Sequence, residues 1–334
     1  MRDMIVFRVD SSAIIGSGHL MRCLTLARQL EKQHNAEICF ICRDLDGNLS
    51  RLVEDAGFKL LLLPRGEKNT SLSGYEAWLT VPEIVDAKET YTVIERLEKK
   101  VDRLVVDSYA ITAAWERKLR PLVNEIFVID DLANRPHDCD ILLDQNEYLD
   151  KETRYEGLVP DKCKLLLGYK HVLLREEFYE AKKTLRKRDG RVKNILVFYG
   201  GSDPTNETMK ALNALSGINL SGITVNVIVG GANTHKDQVA DFCKKHEGFH
   251  YFCQVNNMAE MMAQADLALG AGGSATWERL FLELPSIVTA VSENQEKVAE
   301  DCQTLGLINY LGRAKEVTVD RLRAEIERVL NFER

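Results

Sequence analysis

The sequence IVFRV at residues 5–9, followed by DSSAIIGSGH at residues 10–19, decides the fold. The β-branched run predicts a buried strand, and the glycine-containing turn after it leads into a helical segment. The apolar residues of that segment, Leu20, Cys23, Leu24 and Ala27, recur with the period of one helix face. Strand, glycine turn and helix in this order form the first half of a βαβ unit, which is typical of parallel sheets.

Short apolar runs and helical segments alternate in the same way along the rest of the chain. A polar region from about residue 144 to residue 191 separates two such sets. The pattern predicts an α/β protein of two doubly wound, Rossmann-like domains facing a cleft, with boundaries at 1–147 and 148–334. The further strands are expected at 38–42, 60–63, 104–106, 126–129, 141–143, 195–198, 223–229, 250–253, 267–269 and 286–291.

Charge limits the kinds of partner that this protein can have. Its 334 residues include 44 Lys+Arg against 51 Asp+Glu, so the formal net charge is −7. Binding of nucleic acid or anionic lipid by broad attraction needs a basic face, which this balance argues against. We therefore expect no nucleic-acid partner, and an anionic ligand must be held by a local site.

The apolar runs are much shorter than the roughly 18 residues of a membrane-spanning helix. Arg8 and Asp10 interrupt the N-terminal apolar stretch that a secretory signal requires. We therefore expect no membrane span and a cytoplasmic protein. Cys39 and Cys42 are three positions apart in an expected strand, so they should lie on opposite faces as reduced thiols, without a zinc ion or a disulfide.

The loop after the first strand is the first candidate site, because ligands of doubly wound sheets bind at the carboxyl ends of strands. Its glycines match neither a complete dinucleotide fingerprint, since Met21 stands where the third glycine belongs, nor a P-loop. His19 begins the following helix, whose positive end favours a neutral imidazole that can accept a proton. The alternative is a histidine that only hydrogen-bonds the turn. Asp10 or Ser12 could instead only cap the turn, and Arg22 could be a solvated helix residue. The other candidates here are Asp10, Ser11, Ser12, Gly16, Gly18 and Arg22.

The segment LGAGGSATWE at residues 269–278 is the most informative part of the second half. Its glycines allow the backbone to approach a ligand, and the helix that starts near Ser274 offers free amides and a hydroxyl to a diphosphate. Glu278, one turn into this helix, can accept both hydroxyls of a ribose. The other candidates for a nucleotide site are Gly201, Ser202, Asp203, Gly273 and Gln295.

Eight ordered blocks resemble the nucleotide-sugar hydrolases of pseudaminic acid biosynthesis and the related spore coat polysaccharide proteins. They are found at 7–22 (FRVDSS and GSGHLMR), 107–109 (DSY), 129–131 (IDD), 137–143 (HDCDILL), 155–160 (YEGLVP), 174–178 (LREEF), 200–203 (GGSD) and the glycine-rich loop that ends at Glu278.

This resemblance implies a two-domain glycosyltransferase-B architecture and hydrolysis of UDP-2,4-diacetamido-2,4,6-trideoxy-β-L-altropyranose with inversion and release of UDP. It implies that His19 is the general base. It places Ser274, Glu278 and Gln295 at the nucleotide, in the C-terminal domain. It places Asp10, Tyr109 and Asn146 at the sugar, in the N-terminal domain.

Neither a cofactor nor a metal is expected. A diphosphate leaves readily from an anomeric carbon if helix N-termini meet its developing charge. Asp130 and Asp131 are adjacent, so as strand residues they would point to opposite faces and would not hold Mg²⁺ together. Two other interpretations remain open, an inverting glycosyltransferase of the same architecture and a nucleotide-sugar binding module without catalysis.

Overall fold

The computed structural model describes residues 2–66 and 71–332. Within these ranges the chain forms a seven-stranded and a six-stranded sheet, and every pairing between their strands is parallel. The chain divides into two compact units. The N-terminal unit comprises Met1–Asn146 and Asp150–Leu173, and the C-terminal unit comprises Glu147–Leu149 and Leu174–Arg334.

The sheet of the N-terminal unit has the strand order β3-β2-β1-β4-β5-β6-β7. Its strands are β1 (Met4–Val9), β2 (Glu37–Arg43), β3 (Lys59–Leu63), β4 (Val101–Asp107), β5 (Val123–Ile129), β6 (Ile141–Asp144) and β7 (Lys164–Leu167). The helices of this unit are α1 (Gly18–His34), α2 (Arg51–Asp55), α3 (Glu83–Glu95) and α4 (Ala113–Leu119).

Packing on both faces explains why these apolar runs are strands. Every residue of β1 is buried, as is expected of a parallel sheet that helices cover on both sides. The rings of Phe7 and Phe40 stack 4.7 Å apart between β1 and β2. The predicted apolar stripe of α1 is buried against the same face. The strand, turn and helix expected at residues 5–27 are therefore confirmed.

The sheet of the C-terminal unit has the strand order β10-β9-β8-β11-β12-β13. Its strands are β8 (Asn194–Phe198), β9 (Thr224–Val229), β10 (Phe249–Cys253), β11 (Leu267–Ala271), β12 (Ser286–Ala290) and β13 (Asn309–Arg313). The helices of this unit are α5 (Glu176–Lys183), α6 (Glu207–Leu215), α7 (Lys236–Lys245), α8 (Met258–Gln264), α9 (Ala275–Phe281), α10 (Glu296–Thr304) and α11 (Val319–Phe332).

Two strands, β7 and β13, were not expected from the sequence. β7 lies inside the polar region that was taken to separate the domains, and it pairs with β6. The N-terminal unit therefore extends beyond the predicted boundary at residue 147 and reaches Leu173, apart from residues 147–149. Both strands are short and lie at a sheet edge. β13 has no continuous apolar run, and β7 is a run of only three leucines inside the polar region.

In each sheet the strand order reverses once. The reversal lies between β1 and β4 in the N-terminal unit and between β8 and β11 in the C-terminal unit. At such a point the loops after the two neighbouring strands diverge, and the crevice between them is where open α/β sheets bind ligands. These two places are therefore where a ligand site is expected.

The cysteines and the helices also bear on the sequence predictions. Cys39 and Cys42 are unpaired and buried on opposite faces of β2, as expected. No helix in the described part of the chain is both long enough and apolar enough to span a membrane.

Candidate functional site

A histidine and an aspartate meet where β1 and β4 end. His19 is the second residue of α1, one position later than expected, and its Nδ1 lies 2.6 Å from Oδ1 of Asp107, the last residue of β4. Asp107 is fully buried and His19 is 8% exposed. An ionised carboxylate can only accept hydrogen bonds, so Nδ1 carries the proton and the lone pair of the neutral ring is on Nε2. The imidazole is thus oriented to accept a proton at Nε2.

Arg22 holds the same carboxylate from the other side. Its Nε donates to Oδ2 of Asp107 and its Nη2 donates to Oδ1, both at 2.6 Å. Burial alone would raise the pKa of Asp107, but the charge of Arg22 and the hydrogen bonds from Arg22 and His19 hold it well below its usual range. Arg22, which the sequence offered as a ligand contact or a solvated residue, is thus a partly buried partner of Asp107. Asp107 was not among the predicted site residues.

Three aromatic rings contact one another beside this pair: Tyr75, Trp78 and Tyr109, called here the aromatic cluster. The ring of His19 meets Tyr109 edge-on at 4.7 Å and Trp78 at 5.8 Å. The hydroxyl of Tyr109 donates to Asp131. Burial and the charge of Asp131 raise the pKa of Tyr109, so it stays a neutral hydroxyl. Tyr109, predicted at the sugar, is therefore in direct contact with the predicted base.

Asp10 was predicted at the sugar, but its Oδ1 is engaged inside the N-terminal unit. The residue is 3% exposed, and Oδ1 accepts the backbone N–H of Arg43 at 2.7 Å. Nη1 of Arg8 lies 2.7 Å from the same oxygen. Asp86 accepts hydrogen bonds from both arginines and from the indole of Trp115. These contacts make Asp10 part of a buried charge network that ties the end of β1 to β2.

The two serines of the first loop stabilise its backbone. The hydroxyl of Ser11 accepts the N–H of Leu49 at 2.9 Å. That of Ser12 accepts the N–H groups of Ile14 and Ile15 at 3.2 and 3.0 Å. For Ser12 this is the turn-capping alternative left open by the sequence.

The glycines of the loop face open space. Gly16 has a φ of +79°, which disfavours any residue with a side chain. A Cβ added at Gly16 or Gly18 would meet no described atom within 4 Å. A ligand can therefore approach the backbone here.

Asn146 is held beside this site by Asp144. The Asn146 N–H donates to Oδ1 of Asp144 at 2.9 Å, and the hydroxyl of Tyr155 donates to Oδ2 at 3.1 Å. Asp144 is 2% exposed. Burial, reinforced by the charge of Asp131, raises the pKa of Asp144 to about 7. Asp144 was not among the predicted site residues. It is the last residue of β6, just as Asp107 is the last residue of β4.

Asp130 and Asp131 both follow β5, but they make different contacts. Asp130 accepts the N–H groups of Leu132 and Ala133, whereas Asp131 faces Tyr109 and Arg22. In residues 2–66 and 71–332, no group of three or more His, Cys, Asp or Glu side chains is arranged to hold a metal ion.

A cavity of about 330 Å³ lies at the strand-order reversal of the C-terminal unit, where β8 and β11 end. The backbone of its wall comes from the loops after these two strands. The predicted nucleotide residues that line it are Gly201, Gly273, Ser274, Glu278 and Gln295.

Two predicted nucleotide residues lie outside this cavity. Asp203 is 1% exposed, and its carboxylate accepts the N–H groups of Glu207 and Thr208 at 2.9 Å each. It therefore caps α6, which satisfies two of the amides that a helix start leaves free. Ser202 is exposed beside it and does not line the cavity.

Glu278 and Gln295 give the cavity its polar wall. Burial raises the pKa of Glu278, while Arg175, with Nη2 3.7 Å from Oε1 of Glu278, opposes the shift. Oε1 of Gln295 accepts the N–H of Val291 at 3.0 Å. A Cβ on Gly272 would lie 3.4 Å from the Gln295 side chain. Besides backbone, the lining of the cavity therefore includes the hydroxyl of Ser274, the amide of Gln295, the carboxyl group of Glu278 and the guanidinium of Arg175.

Comparison with known proteins confirms the resemblance expected from the motifs. Residues 194–334 match the model of the glycosyltransferase family 28 C-terminal domain. The chain is 28% identical to UDP-2,4-diacetamido-2,4,6-trideoxy-beta-L-altropyranose hydrolase of Campylobacter jejuni over 298 residues, covering 88% of this chain and 94% of the relative. It is 24% identical to spore coat polysaccharide biosynthesis protein SpsG of Bacillus subtilis, covering 77% of this chain and 75% of the relative.

Solved structures confirm the fold. MurG of Acinetobacter baumannii superposes with a TM-score of 0.68 at 12% identity, covering 99% of this chain and 91% of MurG. Medicago truncatula UGT71G1 complexed with UDP-glucose gives a TM-score of 0.63 at 11% identity, covering 98% and 90%. The chain therefore has the glycosyltransferase-B fold that the sequence predicted.

Proposed function

We propose that this protein is an enzyme that hydrolyses a UDP-linked 2,4-diacetamido-2,4,6-trideoxy sugar without a metal ion, in a pseudaminic or related nonulosonic acid pathway. Water attacks the anomeric carbon with inversion and UDP leaves. The N-terminal unit supplies the base and the sugar contacts, and the C-terminal unit binds UDP. The 28% identity to a hydrolase of this name over most of both chains supports the choice of substrate class.

The contact between His19 and Asp107 is the observation that carries the proposal. Because Asp107 is buried and ion-paired with Arg22, the carboxylate stays ionised and keeps the proton on Nδ1 of His19. Nε2 can then take a proton from water as the water attacks. The positive charge that develops on the imidazole is stabilised by Asp107, without any further proton transfer.

The C-terminal cavity supports the role of UDP as leaving group. Departure of a diphosphate leaves negative charge on its oxygens, and free amides at the start of a helix stabilise such charge. Ser274 is the N-cap of α9, and the glycines before it allow close approach. Glu278 lines the same cavity, and in this proposal its carboxyl group accepts hydrogen bonds from the ribose hydroxyls.

Release of UDP from a panel of UDP-sugars, measured with and without candidate acceptors, tests the proposal. We expect release from a diacetamido-trideoxy sugar in the absence of any acceptor, and little from UDP-glucose. In ¹⁸O-water the label should enter the free sugar. Label in UDP would show attack on phosphorus and would contradict the mechanism.

An inverting glycosyltransferase is the second candidate. It is favoured by the match of residues 194–334 to a glycosyltransferase domain, and the same base would then deprotonate an acceptor hydroxyl. UDP release that depends strictly on an added acceptor would support this alternative. A binding module without catalysis would release no UDP under either condition.

A further inference from the structure

One buried arginine of the C-terminal unit, Arg279, has an unusual set of partners. It is 1% exposed and lies on α9. In the described structure its Nη2 donates to the carbonyl of Ala271 at 2.8 Å and to the hydroxyl of Thr276 at 2.9 Å, and its Nε is buried without a hydrogen bond. Both acceptors are uncharged, so neither hydrogen bond goes to a carboxylate.

The buried arginines of the N-terminal unit show the contrast. Arg8 and Arg43 are fully buried, and both donate to the carboxylate of Asp86. Burying a charge without an opposite one is costly. This cost is visible at Arg279, where burial lowers the pKa to about 10 although Glu278 and Tyr199 partly oppose the shift. A guanidinium kept in such a place calls for a partner that is not part of the chain itself.

The position of Arg279 indicates where that partner binds. A Cβ on Gly270 would lie 2.8 Å from Nη1 of Arg279, so only glycine at this position lets the guanidinium pack against β11. Ala271, which accepts the hydrogen bond from Nη2, lines the cavity, as do Phe198 and Tyr199. The positive charge therefore lies directly behind the cavity wall from which Gly273 and Ser274 face the ligand.

We propose that Arg279 is the buried counter-charge for the diphosphate of the nucleotide bound in this cavity, acting through the loop without touching the ligand. The inference rests on the proposed nucleotide site. It explains how an anion is held in a pocket whose lining includes one cationic side chain, Arg175, already facing Glu278. Arg279 is thus a positioning residue that favours ligands carrying negative charge at the loop.

Isothermal titration of UDP and uridine separates this role from a structural one. Arg279→Gln can still hydrogen-bond Ala271. We expect this variant to bind UDP at least about tenfold more weakly and uridine less than about threefold more weakly, because only UDP carries the charge. Arg279→Lys keeps the charge and should retain most of the preference for UDP over uridine.

Arg188→Gln is the matched control. Arg188 also donates only to carbonyls in the described structure, those of Met262, Ala265, Leu282 and Glu283, and it does not line the cavity. Its replacement should leave the ratio of UDP to uridine affinity unchanged.

Equal losses for UDP and uridine in Arg279→Gln, or an unchanged affinity for UDP, would overturn the inference. If this variant does not fold by circular dichroism, Arg279→Lys decides, since a tenfold fall in its UDP preference would contradict a role of the charge. Failure of the wild-type protein to bind UDP would instead contradict the proposed nucleotide site and, with it, this inference.

Discussion

Nδ1 of His19 and Oδ1 of Asp107 lie 2.6 Å apart although 88 positions separate the two residues along the chain. They come together because β1 and β4 are neighbours, with Val9 opposite Asp107 in the register of the sheet. The loop after β1 and the end of β4 thus meet at the one place where the strand order of the described sheet reverses. A shift of one residue between these strands would turn the carboxylate to the other face.

The first prediction concerns His19. His19→Asn keeps a polar side chain at the start of α1 but cannot take a proton, so kcat should fall by about 10²–10⁴-fold while the affinity for UDP stays unchanged. Steady-state kinetics and UDP titration measure both quantities. His34→Asn, at the exposed end of the same helix, is the control and should be fully active. Near-native kcat in His19→Asn, with an unchanged pH profile, would rule out the base.

The second prediction concerns Asp107. In Asp107→Asn the new amide can donate to Nδ1 of His19, which favours the ring form that carries its proton on Nε2 and cannot act as base. We expect kcat to fall at least about 10²-fold. The variant should also lose up to about 3 kcal/mol of folding free energy, because Arg22 is largely buried and keeps only its longer contact with the carboxylate of Asp131. Rates are therefore measured well below the melting temperature of the variant.

Asp131→Asn serves as the comparison for Asp107→Asn. It removes a nearby charge that contacts Arg22 and Tyr109 but leaves the hydrogen bond to Nδ1 of His19 in place. Its effect on kcat should be smaller than that of Asp107→Asn. Equal effects would show that net charge, and not the orientation of the ring, is what matters.

The third prediction concerns the nucleotide. Glu278→Ala should weaken the binding of UDP by about 1.5–3 kcal/mol, because charged hydrogen bonds are lost. The effect on binding free energy should be smaller for a UDP analogue that lacks the ribose hydroxyls. Ser274→Ala should weaken the binding of UDP more than the binding of uridine. Glu283→Ala, on an exposed residue that follows α9, is the control for titration calorimetry. If both variants bind UDP like the wild type, the nucleotide site lies elsewhere.

The fourth prediction uses the raised pKa of Asp144. Since the folded pKa is about 7 and the unfolded value is near 4, this group contributes stability at low pH that is lost as pH rises towards 7. Asp144→Asn should therefore remove at most about 3 kcal/mol of the fall in stability between about pH 5 and about pH 8. The amide can accept the N–H of Asn146 and donate to Tyr155, whose hydroxyl also donates to Asp130.

Urea unfolding at the two pH values checks this, with exposed Asp150→Asn as control. Asp86 titrates outside the window: burial would raise its pKa, but Arg8 and Arg43 lower it to about 2, so its contribution is lost only in acid. A pH dependence of stability that is the same in Asp144→Asn and in the wild type would contradict the prediction.

Much of the fold could be predicted from the sequence because the strands are buried on both faces and read as apolar runs. All the expected strands are present. β13 was missed because Asn309–Arg313 contains glycine, asparagine and arginine and has no β-branched run. β7 was missed because its run of three leucines is short and lies inside the polar region, and the N-terminal unit therefore reaches further than expected.

The site was harder to predict than the fold. His19 and the loop at 270–278 could be predicted because each belongs to a glycine-rich turn that follows a strand. Asp107 and Asp144 carry a weaker signal, an acidic residue closing an apolar run, which reads equally as the end of a strand. Asp10 has that signal too, yet it holds Arg43. What each of the three carboxylates contacts depends on the neighbouring strands, and those pairings are not local in sequence.

The strand order also has a consequence for how the chain folds. β1 pairs with β4 only after the intervening strands and helices have been enclosed in a loop of roughly a hundred residues, and closing such non-local contacts is slow. Because 88 positions separate the two residues, no short fragment of the chain contains both His19 and Asp107. We therefore expect the activity that depends on His19 to return late after dilution from denaturant, after the helices have formed. The rate of its return would report on assembly of the sheet.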